Sequence, residues 1–229
     1  MLEICANSIQ SALAAQAGGA QRIELCQNLE QGGITASFGL IRRVQASLTI
    51  PVFVLIRPRP GNFVYTADEW AIMAADIEQC RALGCAGVVF GILDDAGRVD
   101  LARCRLLIAL AAPMSVTFHR AFDACPNQAQ ALEDIIALGC QRILTSGGQI
   151  TAMQGQAQLA TLVQQAAGRI SIMPGAGFTP QNIKALAART GPPSFMPAPP
   201  DQFRLHPPPN LPYSTLPYWR RTQLLWLSW

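Results

Sequence analysis

The sequence predicts an α/β protein built as a TIM-type (β/α)8 barrel, with the eighth βα unit missing or replaced by a Pro-rich tail. Seven short apolar runs, each followed by a turn and an amphipathic stretch, succeed one another between Leu2 and Met173. Strands that alternate with helices in this way imply parallel neighbours, because a parallel pair needs a crossover connection. Three junctions share one form: Gly18-Gly-Ala-Gln-Arg-Ile-Glu-Leu-Cys, Leu83-Gly-Cys-Ala-Gly-Val-Val-Phe and Leu138-Gly-Cys-Gln-Arg-Ile-Leu-Thr. In each, a glycine ends a helix and a strand begins two or three residues later, the αβ connection of a repeated unit. Polar residues also stand at the ends of nearly every run, where a barrel carries its chemistry. A doubly wound sheet fits less well, since the first βα turn, Cys5-Ala-Asn-Ser, lacks the glycine fingerprint of a dinucleotide site.

The predicted strands are Leu2 to Ala6, Arg22 to Cys26, Val52 to Ile56, Gly87 to Phe90, Ser115 to His119, Arg142 to Thr145 and Ile170 to Met173. Their lengths and β-branched content suit buried parallel strands. Helical spacing of apolar residues marks Thr66 to Leu83 and Asn127 to Leu138. Near Thr190 the composition changes: ten of the 17 prolines and three of the four tryptophans follow it, and no strand or helix period can be drawn there. The domain reading is therefore a βα-barrel domain at 1–190 and an irregular Pro/Trp-rich tail at 191–229.

Half of the residues are hydrophobic and 14% are charged, which excludes a disordered chain and favours a dense globule. No apolar run has the roughly 18–20 residues needed to span a bilayer, so no membrane is expected as a partner. The net charge of +3 is scattered, without the basic, aromatic-studded groove that nucleic acid requires. Seven cysteines, an odd number, follow a start that lacks the features of a secretory signal; the expectation is a cytoplasmic protein with reduced thiols. No motif for an organic cofactor is evident.

The strand ends hold the candidate functional residues. By the period of two, Glu3 and Cys5 share one face of the first strand, as Glu24 and Cys26 do on the second. Buried carboxyls need partners, and arginines are the obvious ones. Cys5 and Cys26 read either as small core residues or as a thiolate pair for a soft metal such as copper(I) or zinc. The third strand runs into Arg57-Pro-Arg-Pro-Gly-Asn-Phe, which aims Arg57 and Arg59 at an anion or at an ion pair with Glu24 or Asp123. On the fifth strand Thr117 and His119 share a face, and His119, with Arg120 beside it and Asp123 four residues on, reads as a general acid or base oriented by a carboxylate. The sixth and seventh strands end in Thr145-Ser-Gly-Gly and Met173-Pro-Gly-Ala-Gly. Ser146, Gly147, Gly148, Gly175 and Gly177 there read as a phosphate or oxyanion cradle, or simply as tight turns. Glu24, His119 and Asp123 are thus the catalytic candidates and Arg57, Arg59, Arg120 and the two glycine loops the anion-binding ones.

Taken together, Leu2-Glu-Ile-Cys-Ala-Asn-Ser, Arg22-Ile-Glu-Leu-Cys, Ile56-Arg-Pro-Arg, Thr117-Phe-His-Arg-Ala-Phe-Asp, Leu144-Thr-Ser-Gly-Gly and Ile172-Met-Pro-Gly-Ala-Gly resemble the CutC family of copper homeostasis proteins over residues 1–190. The resemblance implies a TIM-like barrel, a cytoplasmic and often oligomeric protein, copper tolerance and copper(I) binding, with Cys5 and Cys26 as the matching thiolate ligands. The family's Arg-Pro-Arg-Gly-Gly-Asp-Phe stands here with Pro60 and Asn62, and its last strand, with a His-Ser/Ala pattern, is not found after Thr190. Phe195-Met-Pro-Ala-Pro, read from the third base of the Phe codon, can spell His-Ala-Ser-Ala, so the tail is read as out of frame. Three functions stay open: a copper(I) protein using Cys5 and Cys26, a barrel enzyme acting on a small phosphorylated or carboxylated metabolite, and a truncated inactive family member.

Overall fold

A computed structural model describes residues 1–178 and 225–227. The proposed boundary near Thr190 and the reading-frame expectation lie outside the described residues. Strands β1 (Leu2–Ala6), β2 (Arg22–Leu25), β3 (Val52–Leu55), β4 (Gly87–Phe90), β5 (Ser115–Phe118), β6 (Arg142–Thr145) and β7 (Ser171–Pro174) pair in parallel and in sequence order. Between them run α1 (Ile9–Ala17), α2 (Phe38–Ser47), α3 (Ala67–Ala82), α4 (Leu101–Ala111), α5 (Gln128–Leu138) and α6 (Gln156–Ala166). This is the α/β, TIM-like fold that the alternation predicts. Among the described residues, no helix is long and apolar enough to cross a membrane.

The helix starts follow from local chemistry. Ser8 and Ser11 close a capping box on α1, and Thr66 and Glu69 close one on α3; each box satisfies backbone N–H groups that a first turn leaves bare. Asp100 and Asn127 cap α4 and α5 through their side-chain oxygens. Gly139, at φ 84°, ends α5 in the left-handed region where a side chain would be strained.

The junctions that look alike in sequence do alike work. Gln21 accepts from the Leu2 N–H and donates to Gly19 O, and Gln141 accepts from the Val116 N–H and donates to Gly139 O. Each glutamine thereby ties a helix-ending glycine to the start of the preceding strand. The following residues, Arg22 and Arg142, are the first of β2 and β6 and lie on the inner face.

A tail without strand periodicity nevertheless supplies a strand. β8 (Leu225–Leu227) pairs antiparallel with β1, opposing Leu227 to Leu2 and Leu225 to Ile4, and lies near β7. Three residues are too few to display a period of two, and a strand running against the direction of a βα repeat has no helix to announce it.

The strands send alternate residues to two cores. Ile23, Leu25, Val54, Val88, Phe90, Phe118, Ile143 and Ile172 face the helices and join one continuous core. The other set fills the interior: Cys26, Phe53, Leu55 and Val89 make one cluster, Cys5, Leu144 and Met173 another, and Leu29 packs against both. One close approach locks the β6 loop to α6. A Cβ on Gly155, which caps α6, would stand 1.8 Å from Ser146 O and 2.8 Å from its carbonyl carbon. Both are backbone atoms that cannot yield, so Gly155→Ala is expected to cost about 3 kcal/mol in chemical denaturation. Gly39, with nothing within 4 Å of its Cβ position, serves as the control; Gly39→Ala should be neutral or stabilising by about 0.5 kcal/mol.

Candidate functional site

The interior is polar at its base. Glu3 and Arg22 form a fully buried ion pair, and Arg22 also reaches the Met173 sulfur at 3.5 Å. The Phe53 ring meets two guanidiniums, with Arg22 Cζ 5.0 Å and Arg142 Cζ 4.5 Å from its centroid. These cation–π contacts give the buried charges a face to meet where water is absent. Arg142 donates through Nε to Thr117 Oγ1 at 3.0 Å, while one terminal nitrogen has no partner. Burial, and then the neighbouring Arg22, lower its pKa to about 10. The sequence reading missed Arg22, Arg142 and Phe53, although the period of two already places Arg22 on the face of Glu24.

Above this floor stand the thiols. Cys5 and Cys26 are both buried and both point inward from adjacent strands. The register sets Cys5 beside Glu24 of the neighbouring strand, with Cys26 two residues further along, and Cys26 Sγ donates to Ala6 O at 3.8 Å. Burial, and then Cys26, push the Cys5 thiol well above its usual range. Glu24 is pushed up to about 8, first by burial and then by the charge of Glu3, and its Oε2 has no partner. Burial thus favours the neutral carboxyl at Glu24.

A turn after β2 roofs the thiols. Asn28 at φ 52° and Gly32 and Gly33 at φ 85° bend the chain so that Leu29 descends onto both interior clusters. Arg57 holds this roof: its NH1 donates to Gln31 O and Gly33 O, and its NH2 to Gly61 O. Arg57 thus braces loops with carbonyls and makes no ion pair with Glu24 or Asp123. Arg59 pairs with Glu69 and donates to Pro60 O, Asn62 O and Val64 O, so it organises its own loop. Asn62, standing where the family motif has an acid, still accepts from Arg59 through Oδ1 at 3.2 Å.

The glycine loop after β6 is occupied from within. Asp123 accepts from the Ser146 and Gly148 N–H groups at 3.0–3.1 Å, from the Thr145 and Ser146 hydroxyls, and from Arg120 Nε at 2.8 Å. The Gly147 N–H goes to Thr145 Oγ1. An internal carboxylate fills the cradle that Ser146, Gly147, Gly148 and Arg120 form, and Asp123 does not orient His119. The imidazole is set instead by the Ala121 N–H, which donates to Nδ1 at 3.2 Å. Burial, and then Arg57, lower the His119 pKa to about 3, which favours the neutral imidazole. On the last loop Gly175 N–H donates to Thr145 O at 2.8 Å, and Gly177 has φ 77°. Gly175 thereby joins the two loops at the backbone.

Fold and site define a βα-barrel protein whose interior holds a roofed pair of thiols over a buried arginine floor. Residues 1–195 match the model of the CutC family, and the chain belongs to that family. A family protein CutC of Xanthomonas axonopodis pv. citri is 55% identical over 190 residues, covering 83% of this chain and 79% of the relative. A Chromobacterium violaceum relative of the same name is 54% identical over 191 residues, with 83% and 77% covered. The crystal structure of a copper homeostasis protein CutC from Streptococcus agalactiae superposes with a TM-score of 0.79 at 34% identity, over 83% of this chain and 95% of that one. An aldolase at 10% identity and TM-score 0.57 shares the fold alone.

Proposed function

We propose that this protein binds copper(I) as cargo between Cys5 and Cys26, and that it serves copper homeostasis, the role after which its Streptococcus agalactiae relative is named. The observation that carries this reading is the placement of two buried inward thiols on neighbouring strands, both in clusters that Leu29 covers. Soft thiolates select copper(I), whereas zinc sites draw three or four protein ligands. Among the described residues no group of three or more His, Cys, Asp or Glu is placed to hold a metal. A two-sulfur site therefore suits the ion that accepts the fewest ligands. Two thiols lose two protons on binding one copper(I), leaving a complex of net charge −1, which Arg22 and Arg142 below it favour. All seven cysteines are buried and unpaired, as thiols kept reduced in the cytoplasm are.

A competition titration against a coloured copper(I) chelator tests the reading. Wild type should take one copper(I) per chain, and the Cys5→Ser/Cys26→Ser double variant should lose that stoichiometric binding while melting cooperatively. Retention of the full stoichiometry by the double variant would refute it.

A further inference from the structure

We infer that the barrel mouth holds a second site, distinct from the thiols, for a small molecule bearing one carboxylate, read by His119 Nε2 and Arg57 Nε and closed by Phe63. These two nitrogens are buried and without partners, on side chains only 4% and 6% exposed. Because the Ala121 N–H donates to Nδ1, that nitrogen is unprotonated and the ring proton sits on Nε2. Both orphans are consequently donors, and each calls for an acceptor. A buried donor left unmet costs about 1–3 kcal/mol, so the arrangement is favoured only if something accepts from it.

The charge argues for an anion. The Arg57 guanidinium meets carbonyl oxygens alone among its hydrogen bonds, and none of the ion pairs of the described residues includes it. One buried, uncompensated positive charge is balanced by a monoanion, whereas the dianion of a phosphate monoester would overshoot. A neutral imidazole beside it contributes a hydrogen bond without further charge.

Both donors stand at the carboxyl end of the sheet and flank one ring. His119 follows β5 and Arg57 follows β3, and the strand between them ends at Gly91, where a Cβ would stand 2.7 Å from His119 Nδ1. The missing side chain leaves the room that the imidazole fills. Phe63 covers both: its ring is 4.8 Å from the imidazole centroid and 5.2 Å from Arg57 Cζ. Phe63 is only partly buried, and its carbonyl accepts from the Leu93 N–H at 2.9 Å, so the backbone is fixed and the ring is the part that turns. Opening the ring uncovers both donors at the end of the strands, where barrels bind their ligands.

The test uses the full chain with histidine-selective 15N labelling, since only His119 and His206 report. Acetate, glycolate and pyruvate serve as monoanion probes, and methyl phosphate as the dianion. A monocarboxylate should shift the His119 Nε2–H resonance and raise the melting temperature, with methyl phosphate weaker. His119→Phe, which keeps the ring volume and removes the donor, should weaken binding at least about tenfold, the size of one lost charge-assisted hydrogen bond. Phe63→Ala, which removes the cover without touching either donor, should bind the same probe at least as tightly as wild type. Carboxylates that leave the His119 resonance unmoved in both wild type and Phe63→Ala would overturn the site, as would undiminished affinity in His119→Phe. Copper(I) stoichiometry is read separately, so failure here leaves the thiol site standing.

Discussion

Glu24→Gln should flatten the pH dependence of stability between pH 6.5 and 8 and leave the protein more stable than wild type above pH 8. Glu24 has its pKa raised from 4.5 to about 8 in the folded protein, so the native state holds a proton there that the unfolded chain has released. The stabilisation from a raised pKa is complete below pH 4.5 and is lost as pH rises through 8. The slope within that window is about 1.4 kcal/mol per pH unit, or roughly 5 kcal/mol across all of it. His119 works in the opposite sense and elsewhere: its pKa falls from 6.5 to about 3, so its contribution is present above pH 6.5 and is lost as pH drops toward 3. Between pH 6.5 and 8 the Glu24 effect is therefore free of His119. Urea denaturation of wild type and variant at several pH values measures it, the difference growing by roughly 2 kcal/mol from pH 6.5 to 8. Parallel curves would mean that Glu24 is solvated in the native state and does not sit as a neutral acid against Cys5.

Much of the barrel is written locally, and its chemistry is not. Strand starts are legible because the repeated junctions fix them: Gln21 and Gln141 tie glycine to strand in the same way, and the strands begin at Arg22 and Arg142 as the spacing says. Strand ends differ by one residue at Cys26, Ile56 and His119, where loop contacts take over from the ladder, and the last strand is shifted by one residue to Ser171–Pro174. That Cys5 and Cys26 both face inward follows from the period of two alone. What the period cannot show is which donor is spent on which acceptor. Arg57 and Arg59 have the fork that suits an anion, yet carbonyls from residues 31, 33 and 61 and the carboxylate of Glu69 claim them. Those partners lie in loops whose course depends on left-handed residues such as Asn28, and no hydrophobic pattern encodes that course. Leu29 and Phe63 were invisible for the same reason: each is one apolar residue in a loop, and its role as a cover exists only after the loop has folded.

Asp123→Ala should cost about 3–5 kcal/mol, more than a catalytic side chain at a solvent-facing mouth normally contributes to folding. The carboxylate is 11% exposed and gathers the Ser146 and Gly148 N–H groups, two hydroxyls and Arg120. Alanine leaves those donors facing each other, with the partly exposed guanidinium beside two bare amides, so several donors lose their acceptor at once. Asp123→Asn keeps the shape and one accepting oxygen but turns an N–H2 toward donors, so its cost should fall between those of wild type and alanine. Chemical denaturation gives the stabilities, and amide hydrogen exchange at Ser146 and Gly148 locates the loss, since protection there depends on the carboxylate directly. If Asp123 were instead a group held ready for a ligand, alanine would keep native stability and protection, and the glycine loop would then stand open to an external anion. The five hydrogen-bond donors converging on one side chain argue that the loop was built around Asp123 and that its anion is already in place.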